Sequence, residues 1–195
     1  MTRELASSIL ADGFDRVRET VAEILEATPP AGLRWQPSAG SNHIAWLVWH
    51  LSRVMDDHIV GVTAVLDGGA PPAGGQEPAP AGQVWHLDWA DRFGLPYAVD
   101  DFGLGHTPDD VRAFPAVDAG LLDGYHAAVQ ERAAALLERL EPADYSTICD
   151  LRWDPPVSIG VRLASVLNDA TQHAGQAAYV KGLFDRGISR PAGDS

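Results

Sequence analysis

Between Asp67 and Pro80, glycine and proline crowd the chain at Gly68, Gly69, Pro71, Pro72, Gly74, Gly75, Pro78 and Pro80. Proline removes a backbone donor and clashes with the preceding turn, and glycine loses the most backbone freedom on ordering, so no regular element can run through this stretch. The architecture must be built on either side of it. Before it, Leu10, Phe14, Val17, Val21 and Ile24 recur at helical spacing until Pro29 and Pro30 forbid continuation. A second stripe, Ile44, Val48, Leu51, Met55 and Ile59, runs to about Leu66, with Ser41 or Asn42 as the expected N-cap.

After the loop, Trp85, Trp89, Phe93, Tyr97, Phe102 and Phe114 are too many aromatics for a solvated linker, so the segment to about Ala116 is expected to be an ordered crossover. Within it Thr107, Pro108 and Asp110 read as the start of a short helix. Asp118 then caps a third long helix, lined by Leu122, Tyr125, Val129, Leu136 and Leu140 and ended by Pro142. Tyr145 to Leu151 reads as a short extended piece. Ser158 caps the final helix, which carries Leu163, Val166, Ala170, Ala174 and Ala177 on its core side. Four long amphipathic helices with one long connection, residues 67–116, between the second and third describe an all-α, four-helix bundle occupying 1–195 as one domain.

Composition narrows the function. A formal charge of −13 with no basic cluster opposes binding to nucleic acid or anionic membranes. Met1 to Phe14 lacks the basic and continuously apolar regions of a signal peptide, and no apolar run approaches membrane-spanning length. Cys149 is the only cysteine, which excludes an internal disulfide and a zinc-thiolate cluster. A cytoplasmic location is expected.

On the final helix Asp169 and His173 stand four residues apart and therefore on one face. A carboxylate and an imidazole so placed can grip a metal ion if another element supplies a third ligand, and His50, flanked by Leu47, Leu51 and Val54, is the candidate. On spacing alone, such a pair is more often a simple side-chain contact, and a histidine beside an apolar stripe is more often a satisfied core residue.

The segments Ser41-Asn42-His43-Ile44-Ala45-Trp46-Leu47-Val48-Trp49-His50-Leu51 and Asn168-Asp169-Ala170-Thr171-Gln172-His173-Ala174-Gly175-Gln176-Ala177 resemble the two signature regions of the DinB-like superfamily. The resemblance spans nearly the whole chain. Within the superfamily it is most similar to a bacterial branch related to the mycothiol-dependent maleylpyruvate isomerases and thiol transferases. What the resemblance implies is a four-helix bundle holding a divalent metal, with His50, Asp169 and His173 as first, second and third ligands. Many members carry histidine where this chain has Asp169, and the maleylpyruvate isomerase branch has an acid, Glu, there. The shorter aspartate is the weakest of the three ligands, with Gln172 or a water as its substitute.

Three protein ligands leave a coordination position open, the mark of a catalytic zinc site, although two imidazoles and a carboxylate suit nickel and iron as well. The resulting expectation is a metal-dependent enzyme that transfers a small thiol to an electrophilic substrate. The alternatives are a hydrolase activating water at the same metal, and a non-catalytic, stress-associated binding protein with a vestigial site. Homodimer formation is a family-level expectation.

Around this core, Asp57 returns to the face of His50 and Gln176 follows His173 by one turn, so both are candidates for supporting the metal shell or touching substrate. Gly175 is read as permitting close helix packing. Trp85, Trp89 and Tyr97 either wall a substrate pocket or seal the end of the bundle, and His86 and His106 lie where the crossover can fold over the site. Asp56 and His58 read as surface residues. His43, His126 and Cys149 have no identifiable partner in the sequence.

Overall fold

A computed structural model describes residues 5–74 and 81–188. The expected loop therefore falls within the described residues only as far as Gly74, and Gly75 to Pro80 lie outside them. Four long helices carry the molecule: α1 (Leu5–Glu26), α3 (Ile44–Leu66), α6 (Ala119–Arg139) and α7 (Ile159–Asp185). Each of α1 and α3 packs on both α6 and α7, which puts α1 diagonally opposite α3 around a common core. The short helices α2 (Pro30–Leu33), α4 (Trp89–Phe93) and α5 (Pro108–Ala113) lie in the connections.

The apolar stripes bury as their period dictates. Phe14, Val17, Val21 and Ile24 of α1 meet Leu122, Val129 and Leu136 of α6 and Leu163, Val166 and Ala170 of α7 in one core. The proline pair that stops α1 also starts α2, because Pro30 at a first-turn position lacks only a donor that would have had no helical partner.

Helix ends follow local chemistry. The Ser158 hydroxyl accepts from the Val161 amide, the Asp118 carboxylate from the Leu121 amide, and Thr107 with Asp110 forms a reciprocal capping box. Helix α3 departs from expectation, since neither Ser41 nor Asn42 caps it. His43 does, with its Nδ1 accepting from the Trp46 amide at 3.1 Å and its Nε2–H donating to the Val111 carbonyl at 3.1 Å. An imidazole can replace a hydroxyl here because α5 supplies the second partner that a buried ring requires.

The crossover is ordered by α3. Asp56, expected at the surface, is 1% exposed and accepts from the amides of Val84 and Trp85 at 2.9 and 2.8 Å and from the Tyr125 hydroxyl at 3.0 Å. Arg53, also buried, donates to Gln83 Oε1 at 2.6 Å. These bonds fix the turn at Val84–Leu87 against the bundle, and Trp85 packs beside it on Trp49, Phe93 and Tyr125.

One departure from a purely helical chain is a two-stranded antiparallel ribbon before α7. Strand β1 (Ile148–Asp150) falls within the expected extended piece and pairs with β2 (Val157–Ser158). The Asp150 carboxylate there accepts from Arg152 and Arg162 at 2.8 and 2.6 Å. No helix among the described residues is long and apolar enough to cross a membrane.

Candidate metal centre

The seam between α3 and α7 brings His50, Asp169 and His173 together. One ligating atom from each lies within 4.8 Å of the others, and the two imidazole rings meet edge to face with centroids 4.7 Å apart. His50 is buried, whereas Asp169 and His173 are half-buried at the edge of the seam.

Proton positions follow from the partners. His173 Nδ1–H donates to the Asp169 backbone carbonyl, one turn back, at 2.9 Å. His50 Nδ1–H donates to the carbonyl of Phe102, in the crossover. A carbonyl can only accept, so both rings carry a proton on Nδ1, and in the neutral imidazole Nε2 is the nitrogen with a lone pair to give. Histidine ligands of metal ions are commonly arranged this way, with the far nitrogen held by an acceptor that fixes the tautomer.

Asp169 completes the set. Its Oδ2 is buried and accepts no hydrogen bond; His173 Nδ1 lies 3.4 Å away but aims its proton at the backbone carbonyl. Leaving a carboxylate oxygen buried without a donor is costly, and such orphans are rare. Two imidazoles and one anionic oxygen thus come together within reach of one ion, a donor set that fits a divalent cation. The three residues can hold a metal ion.

The electrostatics differ between the two imidazoles. Burial is the main influence on His50 and lowers its pKa, with the neighbouring His173 acting in the same direction. Burial also works against a charged His173, but the Asp169 carboxylate and carbonyl outweigh it and raise its pKa. Burial opposes ionisation of Asp169, yet His173, His50 and His58 together hold its pKa below the ordinary carboxylate value. The carboxylate therefore stays charged in a site that attracts positive charge.

The remaining candidates are dispersed. Asp57 accepts from Gln83 Nε2 at 2.9 Å and lies 3.6 Å from His58, so it serves the crossover anchor. His58 is partly buried, with burial foremost and Arg162 next pushing its pKa down to about 4, and its charge bears on Asp169. It was missed as a neighbour of the site because only the α3–α7 register, and not its own sequence, turns it toward α7. Gln172 and Gln176 line a groove of about 580 Å³ between the start of α3 and the second half of α7, with Leu47, Val180 and Leu183 as its apolar floor. Gly175 also faces that groove, and no atom lies within 4 Å of where its Cβ would stand.

Trp85 and Trp89 pack on Tyr125 of α6, away from the α3–α7 seam, and Trp89 approaches Gly124 so closely that a Cβ there would meet it at 2.9 Å. His86 pairs with Asp100 at 3.1 Å on the outside of the crossover. His106 stacks against Trp49 and meets Tyr97 edge to face. Burial pushes the Cys149 thiol pKa up, which disfavours the thiolate a nucleophile needs.

A family model described as the DinB superfamily matches residues 13–177. The chain belongs to the DinB superfamily. This DinB chain is also similar to a solved structure, that of a conserved protein from Enterococcus faecalis. The two are 27% identical with a TM-score of 0.74, over 91% of this chain and 95% of the other. Comparison with curated proteins gives no match. The DinB bundle of four long helices is thus supported by sequence and by shape together.

Proposed function

We propose that the chain is a metal-dependent enzyme that joins a low-molecular-weight thiol to an electrophilic carbon, with His50, Asp169 and His173 holding one divalent ion, preferably zinc. The observation that carries this reading is the buried, unbonded Oδ2 of Asp169 in a cluster whose three ligating atoms lie within 4.8 Å of one another. When bound, the ion supplies Lewis acidity that brings a coordinated thiol or water toward ionisation at neutral pH.

The protein's own residues define the rest. Phe102 and the Asp169 carbonyl keep both imidazoles in the ligating tautomer. The groove beginning at Leu47 and Gln172 is of the size that holds a small molecule. Asn42, Gln172 and Gln176 give it amide donors and acceptors, and its lining carries no charged side chain. It suits the uncharged body of a thiol better than a polyanion. In the transfer a sulfur–carbon bond forms, the thiol proton passes to solvent, and the electrophile loses its leaving group.

Metal analysis of the purified protein, paired with turnover of a generic aryl halide with and without small thiols, tests the reading. The expected result is about one divalent ion per chain and product formation that requires thiol. Ester or amide cleavage without thiol would instead assign the site to hydrolysis. Well-folded protein that retains no zinc, nickel or iron after resupply would identify a binding protein with a vestigial site.

A further inference from the structure

The loop from Asp101 to His106 meets the candidate metal centre through the Phe102 carbonyl, and several hydrogen bonds fix that atom. Trp46 Nε1–H donates to His106 Nδ1 at 3.1 Å. An indole N–H can only donate, so His106 carries its proton on Nε2, which donates to Asp101 Oδ2 at 3.1 Å. The other carboxylate oxygen of Asp101 accepts from the Gly103 amide at 2.7 Å, and the Asp101 carbonyl accepts from Arg53 Nε at 3.3 Å. The peptide carrying the Phe102 carbonyl is therefore clamped from both sides, by groups rooted in α3 itself.

Gly103 makes the approach possible. Its φ is +90°, a conformation that side chains rarely adopt, and a Cβ there would stand 2.9 Å from His50 Nδ1, 2.9 Å from Trp46 and 3.0 Å from Trp49. The Trp46 ring also stacks on the His50 imidazole, with centroids 4.7 Å apart and planes 14° from parallel. One tryptophan thus supports the ligand ring and anchors the relay that holds its hydrogen-bond acceptor.

We propose that Asp101 and Gly103 are positioning residues for His50: through the Trp46–His106–Asp101 relay they place the Phe102 carbonyl on Nδ1 and so leave Nε2 as the free, ligating nitrogen of the ring. The proposal rests on the metal reading above, and the loop is its structural extension into the crossover. Fixing a ligand's far nitrogen commonly changes metal affinity by about 10–100-fold.

The test uses the full chain and the metal alone. Zinc affinity by chelator competition and the visible spectrum of the cobalt-loaded protein are measured for wild type, Gly103→Ala, Asp101→Asn and Gly105→Ala. Gly105 is the control, since its φ is +78° but no atom lies within 4 Å of where its Cβ would stand. Gly103→Ala and Asp101→Asn are expected to bind zinc about 10–100-fold more weakly, with an altered cobalt spectrum, while Gly105→Ala matches wild type. Equal affinity and spectra in all four proteins, or equal loss in both glycine variants, overturns the proposal. If wild type binds no metal, the metal reading itself falls. Nitrogen-15 spectra of metal-free wild type then decide the clamp separately: Nδ1 of His50 protonated and Nε2 bare supports it, and the opposite tautomer overturns it. The same spectra serve if Gly103→Ala does not fold, because Asp101→Asn is expected to mix the two tautomers.

Discussion

Helix α3 presents polar side chains to two neighbours, and the two faces are treated in opposite ways. Toward α6, Asp56 receives two amides and a tyrosine hydroxyl, and His126 is bonded at both ring nitrogens. Toward α7, His50 and His173 each donate from Nδ1 and have no hydrogen bond at Nε2 among the described residues, and Asp169 Oδ2 has no donor. Burial is similar for Asp56 and His50, so burial does not separate a structural polar group from a ligand group. The kind of group left unsatisfied does: among the described residues the orphans on α3, Arg53 Nη2 and Trp49 Nε1, are donors, whereas the orphan at the α3–α7 seam, Asp169 Oδ2, is an acceptor with lone pairs to offer a cation.

The largest expected effect lies on the face toward α7. His50→Ala combined with His173→Ala should abolish stoichiometric metal binding; both rings also give up an Nδ1 hydrogen bond and His50 its stacking on Trp46, so the metal-free variant should melt lower as well, and metal content is read on protein shown to be folded. Metal retained at wild-type stoichiometry by the double variant would sink the ligand assignment. On the face toward α6 the balance reverses. Asp56→Ala strands two amides, a tyrosine hydroxyl and the Arg53 guanidinium 3.8 Å away, and should lower unfolding free energy by about 3–5 kcal/mol in denaturant titration. A loss below about 1 kcal/mol would show that the Asp56 cluster is not the anchor described here.

Asp169→Asn sharpens the contrast at a single atom. It removes a carboxyl group whose pKa the folded state holds below the ordinary carboxylate value, so the metal-free variant should be slightly less stable than wild type in a thermal melt at neutral pH. Zinc affinity should fall, since the neutral amide is the poorer ligand. A metal-free variant at least as stable as wild type would mean that the folded state does not favour the charged carboxylate.

Much of the architecture was legible in the sequence, and the reason is locality. The helical stripes and the caps at Thr107, Asp118 and Ser158 depend on residues within a turn or two, and so does the facing of Asp169 and His173. Asp56 was misread because its partners, Val84 and Trp85, lie 28 and 29 residues away and are backbone amides, which carry no sequence signature. The His43 cap escaped for a related reason: an imidazole works there only because α5 is folded back onto its far nitrogen. Within the candidate site, residue types and spacing were readable. The tautomer of His50 was not, because it depends on a carbonyl 52 residues away.

The smallest expected effect tests satisfaction by titration. Ser52 Oγ–H donates to the Val48 carbonyl at 2.7 Å, so His126 Nδ1–H must donate to Ser52 Oγ at 3.0 Å. Gln130 Nε2 gives one proton to the Phe14 carbonyl and the other to His126 Nε2, both at 3.2 Å. A second proton on His126 would collide with that amide and, buried, would lack solvation; burial lowers its pKa to about 3. An unfolded histidine binds its proton near pH 6.5. Between these values the unfolded state holds one more proton, so stability falls as pH is lowered, by up to about 1.4 kcal/mol per pH unit from this group. His126→Asn, whose amide can replace Nδ1 toward Ser52, removes that titration. The variant should be less stable than wild type at pH 7, and the gap should narrow steadily toward pH 4. A gap that stays constant with pH would mean that His126 is protonated equally in both states, and that the face toward α6 is less closed than its bonds require.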